Sequence, residues 1–178
     1  FFSTSYYLAE RWKAELSVRA EYTSPNRKAN LSPRLALNYY GRNVMLSATA
    51  GRYTQLPEDS LLVRRRDLPS EVCTQYNLGV QYNVGGRFCK AELYCKDYDR
   101  LALYEAAAGT HALLLTSHGY GYSKGLDLFF SDRASFRRLE YRLSYTYNLA
   151  KRKYRQYSEL SVPQYATRHN AALVVKYS

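Results

Sequence analysis

Residues Glu71–Tyr98 read EVCTQYNLGVQYNVGGRFCKAELYCKDY, two arms of strictly alternating side chains hinged on Gly85-Gly86. Val72, Thr74, Tyr76, Leu78, Val80 and Tyr82 fall on one face of the first arm, and Cys73, Gln75, Asn77, Gly79, Gln81 and Asn83 on the other. That is the period of two a β-strand imposes. A Gly-Gly pair supplies the positive φ angles of a tight hairpin turn, and folding about it sets Leu78 opposite Leu93 and Val80 opposite Ala91. Cys89, Ala91, Leu93 and Cys95 then extend the apolar face, and Lys90, Glu92, Tyr94 and Lys96 the polar one. Two situations produce long strands with one apolar and one polar face: a sheet packed on a core, and a closed barrel in a bilayer with a wet lumen. Length separates them. Soluble strands average about five or six residues, a membrane-crossing strand needs about 9–11, and each arm here runs for about a dozen.

The alternation recurs through the chain. Trp12–Thr23 places Trp12, Ala14, Leu16, Val18, Ala20 and Tyr22 on one face, with an aromatic at each end about one bilayer crossing apart. Residues 2–8, 31–40, 44–53, 118–130, 136–148 and 169–177 repeat the pattern, giving about nine strands. Connections near 9–11, 41–43, 84–87 and 131–135 are short, and those near 24–30, 54–70, 99–117 and 149–168 are longer. Outer-membrane barrels have short periplasmic turns and long extracellular loops, whereas a soluble meander has no reason to keep every second turn short. The fold expected is all-β, an antiparallel up-and-down meander, with residues 1–178 a partial transmembrane barrel domain. An odd strand count requires edges closed by strands outside this stretch. The start at Phe1-Phe2, without Met or a charged leader, likewise suggests a piece of a longer polypeptide.

Composition excludes some classes and leaves others open. No run of about eighteen apolar residues exists, which excludes transmembrane helices, while alternation hides a barrel's apolar face inside a mean hydropathy of −0.50. Twenty tyrosines suit aromatic girdles, where the ring sits in hydrocarbon and the hydroxyl stays wet. The net charge of +11 suits anionic lipid, anionic ligand or nucleic acid. Cys73, Cys89 and Cys95 form neither a metal-ligand spacing nor a disulfide framework. His111, His118 and His169 are too dispersed to ligate a metal. Glu92 and Asp127 face inward on separate strands, an arrangement open to acid/base chemistry but far commoner as a charged lumen wall. Gly119-x-Gly121-x-x-x-Gly125 lies on a continuing strand, which the dinucleotide fingerprint does not. No cofactor, metal or enzymatic activity is expected.

The ordered set LSPRLALNYY (31–40), SATAGRYTQLP (47–57), EVCTQYNLGVQY (71–82), KAELYCKDYDRL (90–101), GYSKGLDLFF (121–130), YRLSYTYN (141–148) and TRHNAALVVKY (167–177) resembles the TonB-dependent outer-membrane receptors, in particular the C-terminal half of their barrels in Bacteroides-like bacteria. That resemblance implies a segment of a 22-stranded barrel plugged by an N-terminal domain. The whole would take up a scarce small solute, energised through the TonB protein. The partners it implies are outer-membrane lipid and lipopolysaccharide, the rest of the barrel, its plug and, through the plug, the TonB complex. Neither the plug nor a TonB-contacting segment matches anything in this stretch.

On this view the lumen wall is Lys13, Glu15, Arg19, Lys90, Glu92, Lys96, Arg138, Glu140 and Arg142, and ligand contacts come from strand ends and long loops: Arg52, Tyr53, Gln55, Arg64, Arg65 and Arg66. The basic runs Arg64–Arg66 and Lys151–Arg155 belong to the long-connection class, where they meet lipopolysaccharide or ligand, and nucleic acid is not expected as a partner. Two other readings stay open: a soluble β-rich module using its basic loops on nucleic acid or polysaccharide, and a passive porin-like barrel.

Overall fold

The computed structural model describes residues 1–23, 28–106 and 113–177. Over them the chain is one nine-stranded sheet in which every strand pairs antiparallel with the next in sequence. The elements are β1 (Phe2–Ala9), β2 (Trp12–Thr23), β3 (Lys28–Tyr40), β4 (Val44–Gln55), α1 (Asp59–Arg64), β5 (Glu71–Val84), β6 (Arg87–Ala106), β7 (Leu113–Phe136), β8 (Leu139–Lys153) and β9 (His169–Tyr177). The central hairpin has the expected register, Leu78 opposite Leu93 and Val80 opposite Ala91. Gly85 and Gly86 turn it with φ of 56° and 80°, a pair of left-handed conformations that a side chain would strain.

Successive pairings carry one apolar row across all nine strands: Tyr6, Ala14, Leu37, Ala48, Leu78, Leu93, Leu126, Tyr147 and His169. Nothing among the described residues covers this face, since there is a single sheet and α1 packs with Leu68, Ala102 and Leu115 beyond it. Leu78 is 60% exposed and Leu93 55%. In water each such side chain forgoes about 1.5–3 kcal/mol of burial. Hydrocarbon removes that loss.

The aromatic border of this face is not parallel to the row. On the short-turn side it passes through Trp12, Tyr39, Tyr82, Phe130, Tyr141 and Tyr177. Measured along each strand from the row, Trp12 and Tyr39 lie two residues away, Tyr82 and Phe130 four, Tyr141 six and Tyr177 eight. A drift of nearly one residue per strand is the stagger that tilted strands need in order to close into a barrel. No helix is long and apolar enough to cross a membrane, so any crossing is made by strands.

Several boundaries differ from the sequence expectation. Ser131–Ser135 was expected to be a turn, but β7 continues to Phe136 and the chain reverses at Arg137-Arg138. The turn signal there is real and is spent on a bulge: Asp132 Oδ1 accepts from the amides of Ala134 and Ser135 (2.8 and 2.9 Å), and Oδ2 accepts from Ser135 Oγ (2.6 Å). Strands β6, β7 and β8 reach past the expected boundaries at 99, 117 and 148 toward the long-connection end. The expected loop 55–70 contains α1, whose Leu61 and Leu62 are buried. Thr23 already pairs with Lys28, so the β2–β3 connection is only residues 24–27, which with 107–112 and His111 lie outside the described residues.

The Asp132 bulge sets a pH dependence. The hydrogen bonds from Ser135, with those from Ala134 and Tyr141, hold its carboxyl well below the usual carboxylate range, and Arg87 Nε stands 3.3 Å away. A depressed native value means that the carboxylate contributes its full stability above the unfolded pKa of about 3.9 and loses it as pH falls toward the native value. Asp132→Asn is therefore expected to destabilise by a constant margin from pH 8 to 5, with the margin closing below about pH 4. Guanidinium unfolding across that range measures it, and a margin that widened on acidification would contradict the assignment.

Candidate functional site: the lumen face and its outer mouth

Lys13, Glu15 and Arg19 on β2, Lys90, Glu92 and Lys96 on β6, and Glu140 and Arg142 on β8 all lie on the polar face, opposite the apolar row. Arg138 does not share the wall. It sits in the two-residue β7–β8 turn at the short-connection end, because β8 begins at Leu139 and not at Phe136 as expected. Most of these charges pair within their own strand at i, i+2: Lys13 with Glu15 at 2.7 Å, Lys90 with Glu92 at 2.8 Å, Arg142 with Glu140 at 2.7 Å, and Arg19 with Glu21. Glu140 also accepts from Arg133 at 2.9 Å. Glu92 stands directly opposite Asp127, and each carboxylate has its own partner: Lys90 for Glu92, and Thr146 Oγ1, donating at 2.6 Å, for Asp127. The wall is thus a lattice of mutually neutralised charges.

Nearer the outer mouth the arrangement changes. The Arg152 guanidinium lies 4.1 Å above the Tyr98 ring, and that of Arg34 lies 4.3 Å above Tyr53. Lys96 Nζ sits 5.3 Å from the Tyr94 ring centroid. Glycines make room for these stacks. Tyr98, Gly121 and Arg152 form one row over three strands, so the missing side chain lets Arg152 reach across to Tyr98. Gly51 pairs with Arg34 on the adjacent strand and clears the space that Arg34 and the Tyr53 ring occupy. Each stack is worth about 0.5–2 kcal/mol according to how dry it is. Arg34 Nε and Arg152 Nε are buried without a hydrogen-bond partner among the described residues.

The sequence names Tyr53, holds Arg152 only within the basic run Lys151–Arg155, and misses Arg34 and Tyr98. The available signal was an inward tyrosine or arginine opposite an inward glycine, which can be read only once the cross-strand register is known.

The expected ligand contacts divide. Tyr53 and Gln55 face the lumen near the mouth, whereas Arg52 shares the face of Ala50 and Tyr76 and points to the other side of the sheet. Arg64 ends α1 and donates to Tyr104 Oη at 3.4 Å. Arg65 donates to the Leu115 carbonyl at 2.6 Å and pairs with Asp67 at 2.9 Å. That pairing holds the Asp67 carboxyl below its usual range and raises Arg65 further. Arg65 thus ties α1 to the projecting β6–β7 hairpin, over a small core of Leu61, Leu62, Leu68, Ala102 and Leu115. Arg66 is exposed in the following turn. Behind this core Glu71 is pushed above its ordinary value by burial, and accepts the Ala102 amide at 3.2 Å. The mouth on this side is a braced ledge. Of the histidines, His118 Nδ1 lies 2.9 Å from Glu105 and His169 Nδ1 lies 2.9 Å from Tyr145 Oη.

A family model described as TonB dependent receptor-like, beta-barrel matches residues 1–177. Among solved structures, the copper transporter OprC superposes with a TM-score of 0.74 at 16% identity, over 98% of this chain and 31% of that one. The FrpB iron transporter from Neisseria meningitidis (F3-3 variant) gives 0.70 at 13% identity, over 95% and 28%. The siderophore receptor PirA from Pseudomonas aeruginosa gives 0.65 at 17%, over 82% and 30%. At these identities the likeness is one of fold, and the chain spans less than a third of each transporter. No curated protein matches it.

Proposed function

This chain belongs to the TonB-dependent receptor-like β-barrel family of the bacterial outer membrane, and on that premise we propose that it is the wall segment of an energised transporter that takes up a scarce solute. The whole protein would be a barrel of 22 strands around a plug, coupled through that plug to TonB. The observation that carries this reading is the uncovered apolar row on one face, backed on the other by a charged wall whose outer cations, Arg34, Lys96 and Arg152, stack on tyrosines. Such a wall suits an anionic or chelated solute, since cations attract oxygen-rich ligands and stacked tyrosines hold them at fixed positions. Iron, siderophore and copper are named for the structural neighbours, and an anionic metal chelate is the cargo class best matched to this wall. Tyr53, Gln55, Arg64, Arg65 and Arg66 would guide it at the mouth, with Arg65 acting chiefly as the brace of the ledge. The neutralised charges lower in the lumen would line the path.

Uptake of a radiolabelled iron chelate by cells bearing the full-length protein is expected to stop on deletion of TonB and to fall on Arg34→Gln with Arg152→Gln. Uptake that persists without TonB would make the protein a passive porin-like barrel.

A further inference from the structure

Glu71 opens β5 on the lumen face, ahead of the pairing row in which Arg52, Asp97 and Lys151 bring charge to the outward face. It therefore lies beyond the apolar span, at the outer mouth. The next lumen-facing residue of β5, Cys73, belongs to the row of Tyr53, Tyr98, Gly121 and Arg152. The carboxyl thus stands just outward of the stack of Arg152 on Tyr98.

Four elements surround it. Strand β4 supplies its pairing partner, the neutral Gln55, and β6 supplies the Ala102 amide, which donates at 3.2 Å. Asp99 and Arg100, the neighbouring charges of β6, are exposed. The charges that bear on Glu71 are Glu58, ahead of α1, and Arg152 and Arg155, on β8 and just past it. Arg155 has its own carboxylate, donating to Glu58 at 2.6 Å, and its backbone is pinned to Ala102 and Tyr104. Arg152 has none. Among the described residues neither Arg152 nor Glu71 makes an ion pair. Glu71 is thus the counter-charge left to Arg152, set near it without contact.

A carboxylate is a costly choice at this position. Burial disfavours its charge, and the Ala102 amide needs only an oxygen, which a glutamine would supply equally well. What glutamine lacks is a charge that mild acid removes. We propose that Glu71 sets the charge selectivity of the outer mouth. Ionised, it offsets Arg152, and the mouth tolerates solutes of either charge. Protonated, it leaves Arg152 uncompensated, and the mouth favours anions. Binding of an anionic chelate therefore tightens on acidification. Because burial holds the native carboxyl above its ordinary value, the change begins at a higher pH than the usual glutamate value of about 4.3. The inference rests on the anionic-cargo reading above.

Calorimetric titration of the full-length protein in detergent, from about pH 7.5 to 5, tests it with two probes: Fe(III)–EDTA, an anionic chelate, and ferrioxamine B, a cationic one. At neutral pH Glu71→Gln is expected to bind Fe(III)–EDTA about fivefold more tightly than wild type, the effect of removing one nearby like charge. Wild type and variant converge as the pH falls, since wild-type Glu71 then loses its own charge, and comparing them at each pH cancels any titration of the chelate. Ferrioxamine B binding is not strengthened by the variant at any pH. In wild type alone, preference for the anionic over the cationic probe widens on acidification, a readout that needs no change at Glu71. A gain that does not vary with pH, a gain shared by both probes, or a wild-type preference that stays flat overturns the proposal. Failure of wild type to bind Fe(III)–EDTA at any pH removes the anionic-cargo reading, and the proposal with it.

Discussion

Leu35→Arg is expected to destabilise the folded barrel in a bilayer by about 2–4 kcal/mol, whereas Ala36→Arg, one residue further along β3, costs less than about 1 kcal/mol. Leu35 pairs with Leu16 and with Ala50, all on the uncovered face, and is 52% exposed. A guanidinium there must either enter hydrocarbon or draw water and headgroups down to itself, and both cost free energy near the membrane midplane. Ala36 stands on the other face, opposite Glu15 and Thr49, where an added cation meets a carboxylate and water. The two substitutions introduce the same guanidinium about 3.3–3.4 Å apart along one strand. Their difference therefore isolates the medium on each side of the sheet. Guanidinium titration of the full-length protein refolded into phosphatidylcholine vesicles reads both. Equal penalties would mean that the two faces see the same solvent, and the barrel reading would fail with them.

How far the sequence carries depends on how local each feature is. The hairpin at Gly85-Gly86 is legible to the residue because its turn and both arms lie within one contiguous stretch, and its register follows from counting back from the glycines. Faces are equally legible, since alternation needs no partner. Ends of strands are less so. Ser131–Ser135 has the composition of a turn, and Asp132 does bond the following amides as in a turn, but the pairing of β7 with β8 resumes at Phe136 and Leu139. A local signal was overridden by the ladder on either side of it. The placement of Arg138 inherited that error. The outer cation–tyrosine stacks are the opposite case: Tyr98, Gly121 and Arg152 are separated by 23 and 31 positions in sequence and meet only after three strands are in register. Nothing in any one strand marks them. The ledge held by Arg65 is similarly non-local, since its partner is the Leu115 carbonyl fifty residues on.

Gly125 is the position where the smallest substitution has the largest expected consequence. It stands between Tyr94 of β6 and Asn148 of β8 on the lumen face, and the Tyr94 side chain lies across it. A Cβ at this position would come within 2.6 Å of Tyr94 Oη and 2.9 Å of its ring carbon, and well inside van der Waals contact of the Tyr147 carbonyl oxygen. The tyrosine can swing away from a methyl group. The carbonyl cannot, because Tyr147 is locked between Leu126 and His169 in the sheet. Gly125→Ala is therefore expected to cost about 3 kcal/mol or more, above the usual range for overpacking because backbone has to move. Gly79→Ala is the internal comparison, since its nearest clash is 2.6 Å from the rotatable Ser47 hydroxyl, and its cost should stay under about 1 kcal/mol. Adding Tyr94→Ala to Gly125→Ala separates the two clashes by a double-mutant cycle. Partial recovery is expected, because removing the ring leaves the Tyr147 carbonyl where it was. Full recovery of folding yield and unfolding midpoint would show that the ring alone demands a glycine here, and that β7 and β8 have more freedom at this row than their pairing implies.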